Sequence, residues 1–333
     1  MKAFIIDKYQ SKDGGRITEM PEPEVRPGDV LVRVHATGLN MIDSKIRSGE
    51  FKLVLPYHFP LIMGNDAAGT VVKVGSQVRR FKVGDEVYAR PDKDRIGTFA
   101  EYIALDESDV ALKPKSISME EAASIPLVGL TAWQALVEKA DLKKGQKVFI
   151  QAGSGGVGTF AIQLAKHLGA TVATTTSAAN VELVKRLGAD VVIDYKQDDF
   201  ETVLRDYDVV LNSQDPKTLK KSLRILKPGG KLISISGPPD AAFAEELGAP
   251  WYLRLLMRVL SAVVRSRAKR LNVGYSFLFM RASGDQLARI TALIDAGAIR
   301  PVMDRVFPFH ETKEALAYLE TGRAKGKVVV KVV

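Results

Sequence analysis

The stretch from Phe149 to Ala161, FIQAGSGGVGTFA, constrains this chain most. Lys147 to Ile150 is a short apolar run of the kind that forms a buried strand. Phe160 to Leu168 reads as a helix, with Ile162, Leu164, Ala165 and Leu168 on one face. Between them Gly153, Gly155 and Gly158 satisfy G-x-G-x-x-G. In that pattern one glycine makes the turn, one lets a pyrophosphate approach the backbone, and one lets helix and strand pack closely. The helix N-terminus then offers free N–H groups and a positive dipole end to the phosphates. The motif alone is common. Its position between a strand and a helix makes it a dinucleotide-binding loop.

The next strand, Thr171–Ser177, bears on which dinucleotide. An NAD site places Asp or Glu near the end of this strand to hold the ribose 2′-hydroxyl. No acid occurs from Thr171 to Val181. Thr175, Thr176, Ser177 and Asn180 stand there instead, neutral groups that accommodate a 2′-phosphate without repelling it. The expectation is NADPH. The alternative is that these hydroxyls only cap the helix beginning near Ala178.

A length of 333 residues allows two domains. The absence of cysteine excludes disulfides and thiolate metal sites. No apolar run approaches the ~18 residues needed to span a bilayer, and Met1–Phe4 leads directly into a strand-like run with no signal-peptide pattern. The expected setting is the cytoplasm. Net charge is +9, of which residues 253–270 supply six with no acid. The remainder is close to neutral, so nucleic-acid binding is not expected.

Roughly the first 125 residues read as strands separated by Gly/Pro/Asp turns, at Lys2–Ile6, Val30–Ala36, Gly69–Val74, Glu86–Ala89 and Phe99–Leu105. A short helix near Met41–Ile46 interrupts them. From Met119 helices appear, at Met119–Ala123 and Thr131–Lys139. After the glycine loop strands and helices alternate. The strands are Thr171–Thr176, Val191–Ile193, Asp208–Leu211 and Lys231–Ser236; the helices are Asn180–Leu187, Phe200–Arg205 and Thr218–Ile225. Such alternation predicts a doubly wound parallel sheet. Pro250–Leu271 reads as one long basic amphipathic helix or a helix pair. A strand at Gly274–Met280, helices at Asp285–Ala296 and Thr312–Leu319, and strands at Val306–Pro308 and Lys327–Val333 complete the chain.

Several patches, in order, carry a resemblance. They are Gly38–Asp43, Gly64–Gly69, Val83–Val87, Gly97–Tyr102, Thr131–Trp133, the glycine loop, Leu187–Asp190 with Asp194-Tyr195, and Gly326–Val329. Together they resemble the zinc-free medium-chain dehydrogenase/reductases of the quinone oxidoreductase group. Ala298–Val302, Phe307–Phe309 and Gly322–Lys327 are similar to the branch containing reticulon-interacting mitochondrial reductases and chloroplast envelope quinone oxidoreductase homologues. The resemblance implies a GroES-like β-barrel domain, residues 1–124 plus 276–333, with a Rossmann NADPH-binding domain, 125–275, inserted in it. It also implies a cofactor and substrate cleft between the two. Zinc members carry His-Glu where this chain has Asn65 and Asp66, and its four histidines are scattered. No metal is expected.

Carried over residue by residue, the resemblance assigns Ser154, Gly155, Gly156 and Val157 to the pyrophosphate and Ser177 and Asn180 to the 2′-phosphate. Many relatives have lysine where Asn180 stands. Tyr195 falls at the adenosine end, and Asn212 closes the fourth strand at the cofactor edge. Phe277 and Phe279 match a strand lining the nicotinamide, and Lys325 and Lys327 fall near the phosphates. No general acid is evident. Asn40, Lys45 and Tyr57 are the pocket candidates, and a capping role for Asn40 stays open.

The activity implied is hydride transfer from NADPH to a quinone or to the C=C bond of an α,β-unsaturated carbonyl. An NADPH-binding accessory or sensor protein with little turnover is the alternative. The family also implies a homodimer formed by pairing Rossmann edge strands. Within 253–270, Leu255, Leu256, Val259, Leu260 and Val263 share one helical face. That face is either packed on the Rossmann domain, with Arg254, Arg258 and Arg265 in water, or it gives peripheral contact with an anionic membrane.

Overall fold

The computed structural model describes residues 1–10, 14–52 and 55–333. The chain forms two compact units, Met1–Leu130 with Arg281–Val333, and Thr131–Met280. These seams fall slightly later in the chain than the boundaries expected from the sequence.

In the second unit six strands form one parallel sheet. Across the sheet they run Val191–Asp194, Thr171–Thr176, Lys147–Ile150, Tyr207–Asn212, Leu226–Ser234 and Gly274–Phe277. The order reverses at Lys147–Ile150, the first strand, and ligands of such sheets bind beyond the carboxyl ends at that switch point. Burial on both faces explains the continuous apolar character of the strands. Phe149, Ala173, Val210 and Leu232 are fully buried and pack with Leu219 and Leu223 of helix Pro216–Arg224. Asp215 accepts N–H bonds from Lys217 (2.8 Å) and Thr218 (3.0 Å), and Pro216 opens the helix, which fixes its start.

In the first unit Lys2–Ile6 pairs with Arg16–Glu19 and Leu61–Ile62. A larger mixed sheet contains the long strand Asp29–Leu39, paired antiparallel with Ala67–Val74, Tyr102–Asp106 and the C-terminal Lys327–Lys331. That last pairing builds the two ends of the chain into one body.

Several elements differ from the sequence expectation. The helix after the glycine loop is Gly156–His167, beginning four residues before Phe160. Poor helix propensity of glycine hides its first turn. The Thr131–Lys139 segment is the end of an α-helix, Pro126–Trp133, followed by a π-helical turn, Gln134–Lys139. Strands Arg16–Glu19, Leu61–Ile62 and Val110–Leu112 and helix Ala241–Glu246 were not foreseen; none is long enough to display a clear period. The aromatic strand ends at Phe277, so Phe279 lies beyond it. Residues 250–271 form a helix pair, Trp251–Leu260 and Ala262–Arg270.

Candidate functional site

The glycine loop lies between strand Lys147–Ile150 and helix Gly156–His167, and its three glycines meet different surroundings. A Cβ on Gly153 would stand 2.2 Å from Thr174 Oγ1, and one on Gly158 would stand 2.3 Å from the Ala152 carbonyl oxygen. These two permit close strand–helix packing. A Cβ on Gly155 would meet only the Ala152 oxygen, at 3.3 Å. Gly155 therefore borders open space. Its own N–H donates to Ala152 O (3.0 Å) and closes the turn. It offers clearance rather than a donor. The free donors are those of the first helical turn, Gly156 and Val157, at the positive end of a 12-residue helix.

Ser154 joins this loop to the end of strand Thr171–Thr176. Its Oγ accepts from Thr176 Oγ1 (3.0 Å) and from Asn180 Nδ2 (3.2 Å), and Asn180 Nδ2 also reaches Ser177 Oγ (3.4 Å). Asn180 Oδ1 is buried with no partner among the described residues, so the amide keeps unused hydrogen-bonding capacity here. Ser154, Thr176, Ser177 and Asn180 thus form one neutral cluster beside the loop. Neither Ser177 nor Asn180 makes a side-chain cap to the following helix, so capping does not explain them. Tyr195 follows the neighbouring strand and is 61% exposed, and its N–H donates to Thr176 O (3.2 Å). An open phosphate approach in front of a free helix N-terminus fits a phosphorylated dinucleotide.

Most of the other expected cofactor residues have partners within their own unit. Asn212 is fully buried; its Nδ2 donates to Gln151 Oε1 (2.8 Å) and its Oδ1 accepts from Ser234 Oγ (2.6 Å). It ties three strands of the sheet together. Phe277 and Phe279 pack on Phe243, with ring centroids 5.0 and 5.7 Å away. Lys325 is exposed. Lys327, expected beside the phosphates, is buried within the first unit.

Lys327 Nζ donates to Leu39 O (2.8 Å), Asn40 Oδ1 (2.5 Å) and Asp66 Oδ2 (3.2 Å). Asp66 also accepts from Asn40 Nδ2 (2.9 Å) and Leu127 N (2.7 Å). Asn40 N–H donates to Asp43 Oδ2 (2.7 Å), which caps helix Met41–Ser48, and Asn65 Nδ2 donates to Asp43 Oδ1 (2.7 Å). Burial pushes the Asp43 carboxyl up to about 7, against the lowering effect of those two bonds. An ammonium already occupies the centre of this oxygen-rich cluster. The set does not fit zinc, which takes thiolate, imidazole and carboxylate ligands. Among the described residues no group of three or more His, Cys, Asp or Glu is arranged to hold a metal.

The three pocket candidates are likewise committed. The Asn40 amide is spent on Asp66, Gly38 O and Lys327. Lys45 pairs with Glu50 at 3.0 Å. The Tyr57 hydroxyl donates to Lys93 O (2.8 Å), and burial raises its pKa well above the usual phenol value. Sequence reasoning missed the Lys327–Asp66 pair and the linking amide of Gln151. A polar residue directly at the carboxyl end of an apolar run was the available signal for Gln151. Nothing local announced the ion pair, whose members lie 261 residues apart.

Residues 26–115 match the alcohol dehydrogenase GroES-like domain, and residues 187–330 match a zinc-binding dehydrogenase domain. The chain is 37% identical to the mitochondrial NAD(P)H oxidoreductase RTN4IP1 of Danio rerio, over 100% of this chain and 91% of that protein. It is 36% identical to the chloroplastic NADPH-dependent alkenal/one oxidoreductase of Arabidopsis thaliana, covering 99% of this chain and 79% of the relative. Among solved structures it is similar to the quinone oxidoreductase of Coxiella burnetii, with a TM-score of 0.85, 32% identity, and coverage of 100% and 99% of the two chains. With whole-chain similarity to these reductases, a GroES-like unit built from both chain ends and a Rossmann unit between them, the chain belongs to the medium-chain dehydrogenase/reductase family, in its quinone oxidoreductase group.

Proposed function

We propose that this protein is a zinc-independent, NADPH-dependent oxidoreductase that reduces a quinone or the C=C bond of an α,β-unsaturated carbonyl. The observation that carries the reading is the open approach at Gly155 in front of a helix N-terminus, in a chain whose relatives are reductases of these acceptors. NADPH, when bound, supplies hydride from its nicotinamide. Gly156 and Val157 donate N–H groups to the pyrophosphate, Gly155 gives it room, and Ser154, Ser177 and Asn180 surround the 2′-phosphate. Tyr195 flanks the adenosine. The acceptor gains the hydride and one proton. Asn40 and Tyr57 are bonded within the protein and Lys45 is a surface lysine paired with Glu50, so this reading takes the proton from solvent water.

The test is NADPH consumption with a panel of quinones and enals, each with and without prolonged chelation. We expect turnover that chelation leaves unchanged; activity lost to chelation and restored by zinc would refute the metal-free reading. NADH run in parallel should bind more weakly. Ser177→Asp should reverse the preference, because a carboxylate there repels the 2′-phosphate and accepts from a 2′-hydroxyl. Equal affinities in the unaltered protein would remove the 2′-phosphate assignment.

We further propose a homodimer through the edge strand Gly274–Phe277, whose outer side has no strand partner among the described residues. Sedimentation at micromolar concentration reads this directly, and a monomer rejects it. Two of the named relatives are mitochondrial and chloroplastic; for this chain a cytoplasmic setting is proposed, and cell fractionation reads it.

A further inference from the structure

The helix pair Trp251–Leu260 and Ala262–Arg270 packs by a narrow stripe. Met257 is buried against Phe243, Ala244 and Ala249, while Val264 and Ala268 join the core beneath the parallel sheet. The broad apolar face, for which packing on the Rossmann domain was one of two expectations, is left in solvent. Trp251, Tyr252, Leu255, Leu256, Val259, Leu260 and Val263 are each between 50% and 76% exposed. Trp251, Leu255 and Val259 recur every four residues, as do Tyr252, Leu256 and Leu260, so on the first helix they form one continuous strip. Protein surfaces rarely leave so many large apolar side chains side by side without a partner.

The charges around the strip narrow what that partner is. Arg254 and Arg258 lie along one flank, and Arg265, Arg267, Lys269 and Arg270 follow on the second helix, with no acid between residues 253 and 270. Arg258, Arg265 and Lys269 converge on an open groove of about 690 Å³ that Gly229, Asn272 and Tyr275 also line. None of these three cations has an acidic partner among the described residues. We propose that this face is a docking surface for an anionic bilayer. The apolar strip enters the boundary between headgroups and acyl chains, with Trp251 and Tyr252 at the interface, and the basic groove receives lipid phosphate. A second copy seated on this same strip would set its basic flank against an identical one, so the dimer proposed above is confined to the outer edge of strand Gly274–Phe277 and leaves the strip of Trp251–Leu260 to the bilayer. No helix among the described residues is long and apolar enough to cross a membrane, so the attachment is peripheral. The inference stands apart from the catalytic reading, since vesicle binding is measured without turnover.

The test is co-sedimentation of the full chain with vesicles of phosphatidylglycerol mixed into phosphatidylcholine, against phosphatidylcholine alone. Binding should need the anionic lipid and be lost near 1 M salt, where screening shortens to about 3 Å. Each basic residue near such a surface contributes on the order of a fivefold gain. Replacing Arg258, Arg265 and Lys269 together by Gln should therefore weaken binding about a hundredfold. In a Trp133→Phe background, Trp251 emission should shift to the blue on binding, and Leu255→Ser with Val259→Ser should remove that shift. If that strip variant fails to fold, the charge variant carries the test alone. A protein that stays in the supernatant at low salt, binds both vesicle types equally, or binds with an unmoved Trp251 spectrum overturns the proposal. So does self-association abolished by the strip variant without any vesicle binding, which would assign the face to a second copy.

Discussion

Gly155→Val is expected to fold, at a cost of about 1 kcal/mol for a poor N-cap residue, and to lose NADPH affinity by about a hundredfold or more. Gly155 has φ −81° and ψ 172°, a conformation open to any residue, and a Cβ there meets nothing closer than 3.3 Å. The folded chain thus tolerates the side chain. The bound pyrophosphate does not, because the valine methyls fill the space through which phosphate oxygens reach Gly156 and Val157. Losing two hydrogen bonds to a charged group costs roughly 3 kcal/mol or more, which is the hundredfold stated. Gly153→Ala and Gly158→Ala make the control. Their Cβ atoms would stand 2.2 and 2.3 Å from fixed atoms, so they should lower thermal stability even without cofactor. Fluorescence titration with NADPH and thermal unfolding of the three apo variants separate clearance from packing. Unchanged affinity in Gly155→Val would mean that the phosphates bind elsewhere.

The second large effect is on stability. Lys327→Met should destabilise the first unit by roughly 3–5 kcal/mol, the usual cost of removing one member of a buried ion pair. For a unit of this size that lowers Tm by about 10 °C. Asp66 is fully buried, and without the ammonium its carboxylate keeps only the Asn40 and Leu127 donors. Leu39 O and Asn40 Oδ1 lose a donor as well. Adding Asp66→Asn should recover part of the loss, because the stranded charge is then gone; the double-mutant cycle gives the coupling. Denaturant unfolding of the four proteins is the measurement. A loss below about 1 kcal/mol in Lys327→Met would place the pair among those that contribute nothing measurable.

These two predictions rest on different kinds of legibility. Gly155 could be read from the chain because its requirement is local. A strand, a tight turn and a helix N-terminus are consecutive in sequence, and the glycine spacing is their direct consequence. The same holds for the alternating strands and helices of the Rossmann unit, whose apolar runs and caps are short-range signals. Even there the sequence misjudged the helix start, because glycine's poor propensity masks a turn that strand–helix packing imposes.

Lys327 shows the opposite case. In sequence it is a lysine in a Gly-Lys-Val-Val patch, as suited to a phosphate as to water. Only the antiparallel pairing of Lys327–Lys331 with Asp29–Leu39 carries it beside Asn40 and Asp66, and low-dielectric burial then ties the ammonium to them. The amide and hydroxyl partners of Asn212, Gln151 and Ser234, are likewise brought to it only by the pairing of separate strands. The helix pair after residue 250 makes the point for surfaces. Periodicity finds an apolar face but cannot say whether anything covers it. The sequence by itself determined the family, the parallel sheet and the strand–glycine turn–helix unit, because those follow from local backbone geometry and short-range pattern. The tertiary structure alone decided which polar groups are spent on one another and which apolar face is left bare, because both depend on contacts between residues far apart in the chain.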